Sequence, residues 1–495
     1  MLILIIIIGI FLRFFMLTHQ SFWFDEGVTF FTTHNLNLLE NIIFYLNAQG
    51  GDRFQPLYFL LMPYWRWVLG HDEWALRTFS AFFGALTVIV LSLIALQIYG
   101  KTRQTLWVSA LATVSAFAVF YSQDARPYAL SLFLATAQTY FLLKGWYQND
   151  DKISRWGFWI TLLLASFSTI IMGLFTTALA LSHLLVYRQW KRWLTWWAPA
   201  ILFALPALLY YFSLENSTDP TQISVTRHGF PLLQNILFAF YGITVGLTYG
   251  PSVSSLHTHN RWEVVFNYLP HLLILAVVLF FIAFFIIKIL FKKQIHQSFR
   301  QAHWFLATLL IVAFVLTVIF TLLTKINWLP RHSFYLWIPI ILLIPAISLF
   351  EKKSGYFTHL LLVSLIILNS FSLINYYFDP VYRKDDFRGV AQYLNTHQDP
   401  QVAAVTLWGS DKLFDYYGAQ VLKGYYLSNK HFAEELTELI APRETVFLIV
   451  NNEFFWEKRR KTTIKNLMTE NYILESTKLF PNFKIYRFTL KDSHH

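Results

Sequence analysis

The sequence predicts an all-α polytopic membrane protein of about 11 transmembrane helices, at about 20 residues per span, with a small C-terminal α/β domain. Three observations predict it. The 495 residues are 56% hydrophobic and 19% aromatic but only 14% charged. Apolar runs long enough to cross a bilayer recur as far as Phe378. Beyond Phe378 helical stretches alternate with strand-like ones.

The expected spans lie near 1–17, 76–99, 104–121, 127–146, 157–171, 173–187, 195–213, 268–291, 302–322, 333–350 and 356–378. The opening run, Met1 to Leu17, lacks a basic leading region and has no small-residue cleavage site before Trp23, so it reads as a retained helix and not a signal peptide. Arg13, its one charged side chain, is expected to snorkel to the interface. A formal charge of +11 suggests nucleic acid, but the basic residues form neither an arm nor a stripe, which argues against that partner. They fall in alternate short loops: Lys101 and Arg103; Lys144, Lys152 and Arg155; Arg188, Lys191 and Arg192; Lys292, Lys293 and Arg300; Lys352 and Lys353. The positive-inside rule makes those loops and the N-terminus cytoplasmic, and puts the C-terminal segment outside with Asp25. With no cysteine, disulfides and thiolate metal sites are excluded.

The expected domains are a transmembrane domain, 1–378, with outer loops 18–75, 121–127, 214–267 and 323–332, and an extracytoplasmic α/β domain, 379–495. In the first loop, Leu39, Ile42, Ile43 and Leu46 recur at helical spacing, so 36–47 is expected along the interface with Asn35 or Thr33 as cap. A second such helix should start at Pro56 and end at Gly70. The apolar piece Phe230 to Leu247 is expected to form another. In the C-terminal domain, helices are expected at Phe387 to Thr396, Phe432 to Ile440 and Lys461 to Glu470, and strands at Val402 to Leu407, Thr445 to Val450 and Phe483 to Leu490.

The candidate chemistry sits in the outer loops. Asp25 and Glu26 follow the first span in Ser21-Phe22-Trp23-Phe24-Asp25-Glu26-Gly27, where aromatic residues favour the interfacial depth and unpaired charge is costly. Solvated turn residues are the bland alternative. Asp124 and Arg126 lie in Tyr121-Ser122-Gln123-Asp124-Ala125-Arg126-Pro127-Tyr128, where Pro127 opens a helix whose N-terminal end favours an anion; a local ion pair or cap is the alternative. Arg77 and the pair Arg331-His332 also fall on the outer side, and snorkelling explains an arginine near a span end equally well. Carboxylates and arginines on one face fit one chemistry. An acceptor hydroxyl or amine attacking a sugar's anomeric carbon needs a base, and a departing phosphate needs fixed positive charge, which the arginine fork supplies. Asp25 is the expected base.

The Asp-Glu pair after the first span, the helix start Gln55-Pro56-Leu57-Tyr58, Glu73-Trp74-Ala75-Leu76-Arg77-Thr78-Phe79-Ser80-Ala81 and the Tyr121 to Tyr128 stretch resemble the GT-C glycosyltransferases of the protein-mannosyltransferase type, a group that includes bacterial lipid A aminoarabinose transferases. The motif match covers about the first 130 residues. The resemblance implies inverting transfer, on the outer face of a bacterial plasma membrane, of a hexose or pentose from a polyprenyl-phosphate-linked donor to a lipid, polysaccharide or protein acceptor. It implies Asp25 as general base with Glu26 in support, Arg77 near the donor phosphate, and Asp124 and Arg126 as a second outer-loop motif; with these, Arg126, Arg53 and Arg331 are expected to bind the donor phosphate and Asp124, Gln55, Tyr58 and His332 to support the site. One departure stands out: Gln55-Pro56-Leu57 replaces the His-Pro-Pro or Lys-Pro-Pro of many members, and glutamine brings no charge, so Arg53 is the expected substitute. No cofactor is expected. A divalent cation on the carboxylates is conceivable but disfavoured where arginines can neutralise phosphate. A lipid or glycolipid transporter or flippase is the rival reading, but it calls for ionisable groups or broken helices at mid-membrane that the apolar spans barely show.

Overall fold

A backbone removed from water must bond to itself, so the long apolar runs become helices. The computed structural model describes residues 1–47, 51–147, 151–215, 232–252, 263, 266–291, 297–324, 328–346, 356–397, 402–406, 411–422, 440, 443–451 and 471–491. Its helices are α1 (Leu2–Phe14), α2 (Phe24–Thr32), α3 (Leu38–Asn47), α4 (Pro56–Leu69), α5 (Glu73–Tyr99), α6 (Arg103–Val114), α7 (Ala116–Ser122) and α8 (Tyr128–Tyr147). There follow α9 (Lys152–Ser168), α10 (Met172–Tyr187), α11 (Trp190–Glu215), α12 (Leu232–Val245), α13 (Leu269–Phe291), α14 (Gln297–Thr324), α15 (Trp337–Leu343) and α16 (Tyr356–Phe378). A helix stands at every expected span. Among the described residues four are long and apolar enough to cross a membrane alone, five if α6 and α7 count as one broken span. The protein is thus a multi-pass membrane protein.

The chain divides into two units. The first comprises Met1–Leu17, Thr29–Tyr249 and Pro270–Asn375; the second comprises Thr18–Val28, Gly250–Leu269 and Tyr376–His495.

In the first unit, α6 and α7 meet at Ser115 with a bend of 49°. Such a break frees backbone groups, and side chains take up the carbonyls of Ala112 and Thr113 and the N–H groups of Ala116 and Ala118. Arg13 donates to the carbonyls of Ala112 and Thr113 at 2.8 Å each, and to Gly9 at 2.9 Å. Asn369 Oδ1 accepts from the Ala116 N–H at 3.0 Å, and Trp337 Nε1 donates to Ser115 Oγ at 3.0 Å. Arg13 therefore does not snorkel: it is fully buried, because the freed carbonyls are nearer partners than any headgroup. Gln123 closes the end of α1, its amide donating to the carbonyls of Leu12, Arg13 and Phe15. At Gly84 a Cβ would collide with the Ser122 side chain, so α5 approaches α7 where α5 has no side chain.

The two helices expected in the first loop form as α3 and α4, with Gly70 just past α4 at φ +107°. The α3 cap differs from expectation. Asn37 Oδ1 accepts from Leu39 and Glu40 N–H, Asn35 caps Asn37 in turn, and Thr33 bonds back to the Thr29 carbonyl. Of loop 214–267, residues 216–231, 253–262, 264 and 265 lie outside the described residues, as do 325–327 of loop 323–332.

The second unit carries α17 (Phe387–Asn395), α18 (Asp411–Tyr416) and a four-stranded sheet ordered β1-β2-β4-β3, made of β1 (Val402–Thr406), β2 (Thr445–Asn451), β3 (Tyr472–Phe480) and β4 (Phe483–Leu490). β1 and β2 are parallel and the other pairs antiparallel. Val405, Val446, Leu448, Val450, Tyr472 and Phe488 form its core. β3 was not expected. It is an edge strand exposed along most of its length, so it lacks the alternation that marks a half-buried strand. The helices expected at Phe432 to Ile440 and Lys461 to Glu470 fall almost wholly outside the described residues.

Candidate active site

The acidic pair belongs to the second unit. Phe24 opens α2, so Asp25 and Glu26 occupy its first turn, where the free N–H ends of the helix favour negative charge. The two neighbours fare differently. Asp25 is half-buried, whereas Glu26 is fully buried. Glu26 Oε2 accepts from the Trp23 N–H at 3.3 Å, the side-chain-to-cap half of a capping box. Its Oε1 lies 3.6 Å from Lys384 Nζ.

Segment 18–28 is tied to the C-terminal residues of the same unit. Ser21 Oγ donates to the Asp385 carbonyl at 2.7 Å, and Phe22 N–H donates to the Tyr417 hydroxyl at 2.7 Å. Lys384 N–H donates to Gln20 Oε1 at 2.9 Å, and Arg388 donates to the Thr18 carbonyl at 3.1 Å. Gly27 lets Leu413 approach to where a Cβ would clash. Lys384 was missed in the sequence: nothing local distinguishes it among Arg383-Lys384-Asp385-Asp386, and its partner lies at the far end of the chain. Asp386 caps α17 through the Gly389 N–H.

The basic and supporting residues belong to the first unit. Arg126 is buried in the loop before α8, its NH2 2.7 Å from Asp52 Oδ1, its NH1 donating to Thr29 Oγ1 at 3.3 Å and its Cζ 5.5 Å from the centre of the Phe59 ring. Its N–H bonds the Asp124 carbonyl at 2.7 Å, and its own carbonyl accepts from Ser80 Oγ, so α5 and the loop hold one another. Asp124 is buried too. Tyr58 lies edge-on to Phe59 and to Phe79, which continues the aromatic wall. Beside it, burial pushes the Tyr45 hydroxyl above the ordinary phenol range; the Thr32 side chain and the charge of Arg126 pull down, and Asp52 pushes up.

Other expected members take other neighbours. Arg77, buried, donates to the Leu17 carbonyl at 2.7 Å. Arg53, buried, lies 5.0 Å from the Phe54 ring centre, and its carbonyl accepts from the Tyr210 hydroxyl. Gln55 stands at the α4 N-cap position without a side-chain cap bond. Arg331 lies 6.0 Å from the Tyr128 ring centre. His332 is held in its own turn, Nδ1 accepting from the Leu329 N–H at 3.3 Å. The first unit therefore groups Arg126, Asp52, Thr29 and Phe59 with Tyr58 alongside, while Arg77 and His332 engage backbone elsewhere. Asp52 and Arg66 were not anticipated. Arg66 donates to the carbonyls of Phe30 and Thr33, bracing the end of α2.

No protein-family model matches the chain, and no curated protein matches it in sequence. In structure it is similar to crystal structures of ArnT from Cupriavidus metallidurans. The one bound to undecaprenyl phosphate has a TM-score of 0.54 at 12% identity, over 98% of this chain and 97% of that one. The apo state has a TM-score of 0.51 at 12% identity over the same shares. At this identity the likeness is one of fold, and the fold is GT-C.

Proposed function

We propose that the protein is an inverting glycosyltransferase that moves a sugar from a polyprenyl-phosphate-linked donor to an acceptor on the extracytoplasmic side. The observation that carries this reading is the fold likeness over nearly the whole of both chains to a structure bound to undecaprenyl phosphate. The alternate basic loops support an N-terminus in the cytoplasm and residues 379–495 on the other side of the membrane.

In the proposed reaction the acceptor's O–H or N–H attacks the anomeric carbon as the bond from that carbon to the phosphate oxygen breaks. Asp25 takes the proton and polyprenyl phosphate leaves with the bonding pair. Asp25 suits the base because it is partly exposed; Glu26, enclosed, with one oxygen hydrogen-bonded to Trp23 and the other facing the Lys384 ammonium, suits support. Arg126 suits the phosphate, since Asp52 shows its fork engaging an anionic oxygen. Arg53, Arg77 and Arg331 would add positive charge, with Asp124, Gln55, Tyr58 and His332 as supporting groups.

The test is sugar release in proteoliposomes from radiolabelled polyprenyl-phosphate sugars, each a hexose or a pentose, comparing the wild type with Asp25→Asn. Turnover in the wild type and its loss in Asp25→Asn, with donor still bound, is the expected result. Unchanged turnover in Asp25→Asn would remove Asp25 from the mechanism.

A further inference from the structure

Glu26 has no contact with water, so the protein itself must balance its charge. Lys384 is placed to do so, with its ammonium 3.6 Å from Oε1 and its side chain only 8% exposed. That ammonium also sits 5.8 Å from the centre of the Trp23 ring, and the Lys384 N–H is anchored on Gln20. Lys384 is thus fixed to segment 18–28 at both its backbone and its head. The other ionisable groups set on this segment within the unit are Asp25, beside Glu26 on α2; His19, edge-on to Tyr376; Arg388, on the Thr18 carbonyl; Tyr417, on the Phe22 N–H; and Asp385, whose carbonyl takes Ser21. Tyr376 and Tyr377 ring His19 and Tyr416 packs on Phe22, and Asp379, Arg383, Asp386, Asp411, Lys412 and Asp415 lie near these residues in the chain.

We propose that Lys384 is a positioning residue for the acidic pair: its ammonium keeps Glu26 ionised and seated in the first turn of α2, and so fixes where the Asp25 carboxylate points. The proposal rests on the reading of Asp25 as base. An ionised Glu26 pairs with the Lys384 ammonium at Oε1 and accepts from the Trp23 N–H at Oε2, whereas a protonated one loses the ion pair or, protonated at Oε2, the bond from Trp23. Losing that bond releases the cap of the helix start that carries Asp25. The C-terminal segment is on this view a structural part of the acidic site.

The test uses the full chain in proteoliposomes as wild type, Lys384→Met, Lys384→Gln and Lys384→Arg; the glutamine variant keeps a donor should the methionine variant fail to fold. Dicyclohexylcarbodiimide, which adds to protonated carboxyl groups in apolar surroundings, is read at Glu26 by peptide mass spectrometry at pH 7. Glu26 should resist labelling in wild type and Lys384→Arg and be labelled in the two uncharged variants. In turnover, the uncharged variants should lose about tenfold or more in kcat with the donor KM little changed, and gain an ionisation above the usual carboxylate range that Lys384→Arg lacks. Equal labelling in all four proteins overturns the proposal, as does the expected labelling with an unaltered kcat. Should the wild type transfer from no donor, the reading of Asp25 as base falls, while the labelling still decides whether Lys384 holds the charge on Glu26.

Discussion

Arg126 and Asp52 form an ion pair at 2.7 Å with side chains only 7% and 17% exposed. A charge so enclosed depends on its partner, and removing one side of a buried pair costs about 3–5 kcal/mol. Asp52→Ala and Arg126→Gln are each expected to lower the melting temperature in detergent, and the double variant Asp52→Asn/Arg126→Gln to recover most of it. Donor binding should separate the two: Arg126→Gln and the double variant should both weaken it by about tenfold or more, the loss of a charge-assisted hydrogen bond. Equilibrium binding of a fluorescent polyprenyl phosphate makes the comparison.

Asp25 and Glu26 are neighbours in sequence with opposite surroundings, so their amide variants should fail differently. Asp25→Asn should cut turnover by about 10²–10⁴, the usual share of general base catalysis, with thermal stability near wild type. Glu26→Gln removes the enclosed carboxylate that faces the Lys384 ammonium and should lower the melting temperature. Paired turnover and melting curves check both. Equal stability loss in the two variants would contradict the assignment of roles.

The bend at Ser115 offers a stability test away from the site. Asn369→Leu removes the acceptor of the Ala116 N–H and should cost about 1–3 kcal/mol, since an unmet buried donor is charged its full desolvation. Arg13→Met, which strips the Ala112 and Thr113 carbonyls together, should cost more. Denaturation in mixed micelles orders the two. The reverse order would mean that water reaches the freed carbonyls.

Asp151 caps α9 by accepting from the Ser154 N–H, and that bond holds its carboxyl below the usual carboxylate range. A depressed folded value stabilises the cap at every pH above the unfolded carboxylate's, and the gain is lost as pH falls through the folded value. Hydrogen exchange at the first turn of α9 should therefore be steady from neutral to mildly acid pH and quicken in strong acid. Asp151→Asn, which caps without titrating, should show no such step relative to the intrinsic rate.

The sequence discloses the helices because apolar length and periodicity are local signals. α4 begins at Pro56 and stops before Gly70 as Pro at a first turn and Gly past a last turn require. The α3 cap moved from Asn35 to Asn37 because two neighbouring asparagines can each take that role and only the helix start decides between them. Arg13 was misplaced for a different reason: its partners are carbonyls about 100 residues away, freed by a bend that a Val-Ser-Ala stretch does not announce. The residue types of the candidate site could be read, since acids and arginines are rare in so apolar a chain. Their pairings could not. Nothing short of the folded chain sets Asp52 opposite Arg126 or Lys384 opposite Glu26.

The link between Ser21 and Asp385 spans 364 residues. Ribosomes add roughly 5–20 residues per second, so the stretch carrying Asp25 waits on the order of tens of seconds for the residues that will hold it. During that interval Glu26 has no Lys384, and the nascent chain carries its acids without their seat. On the roles proposed for Asp25 and Lys384, competence arrives late in synthesis, and a chain cut short before residue 384 is expected to be inert.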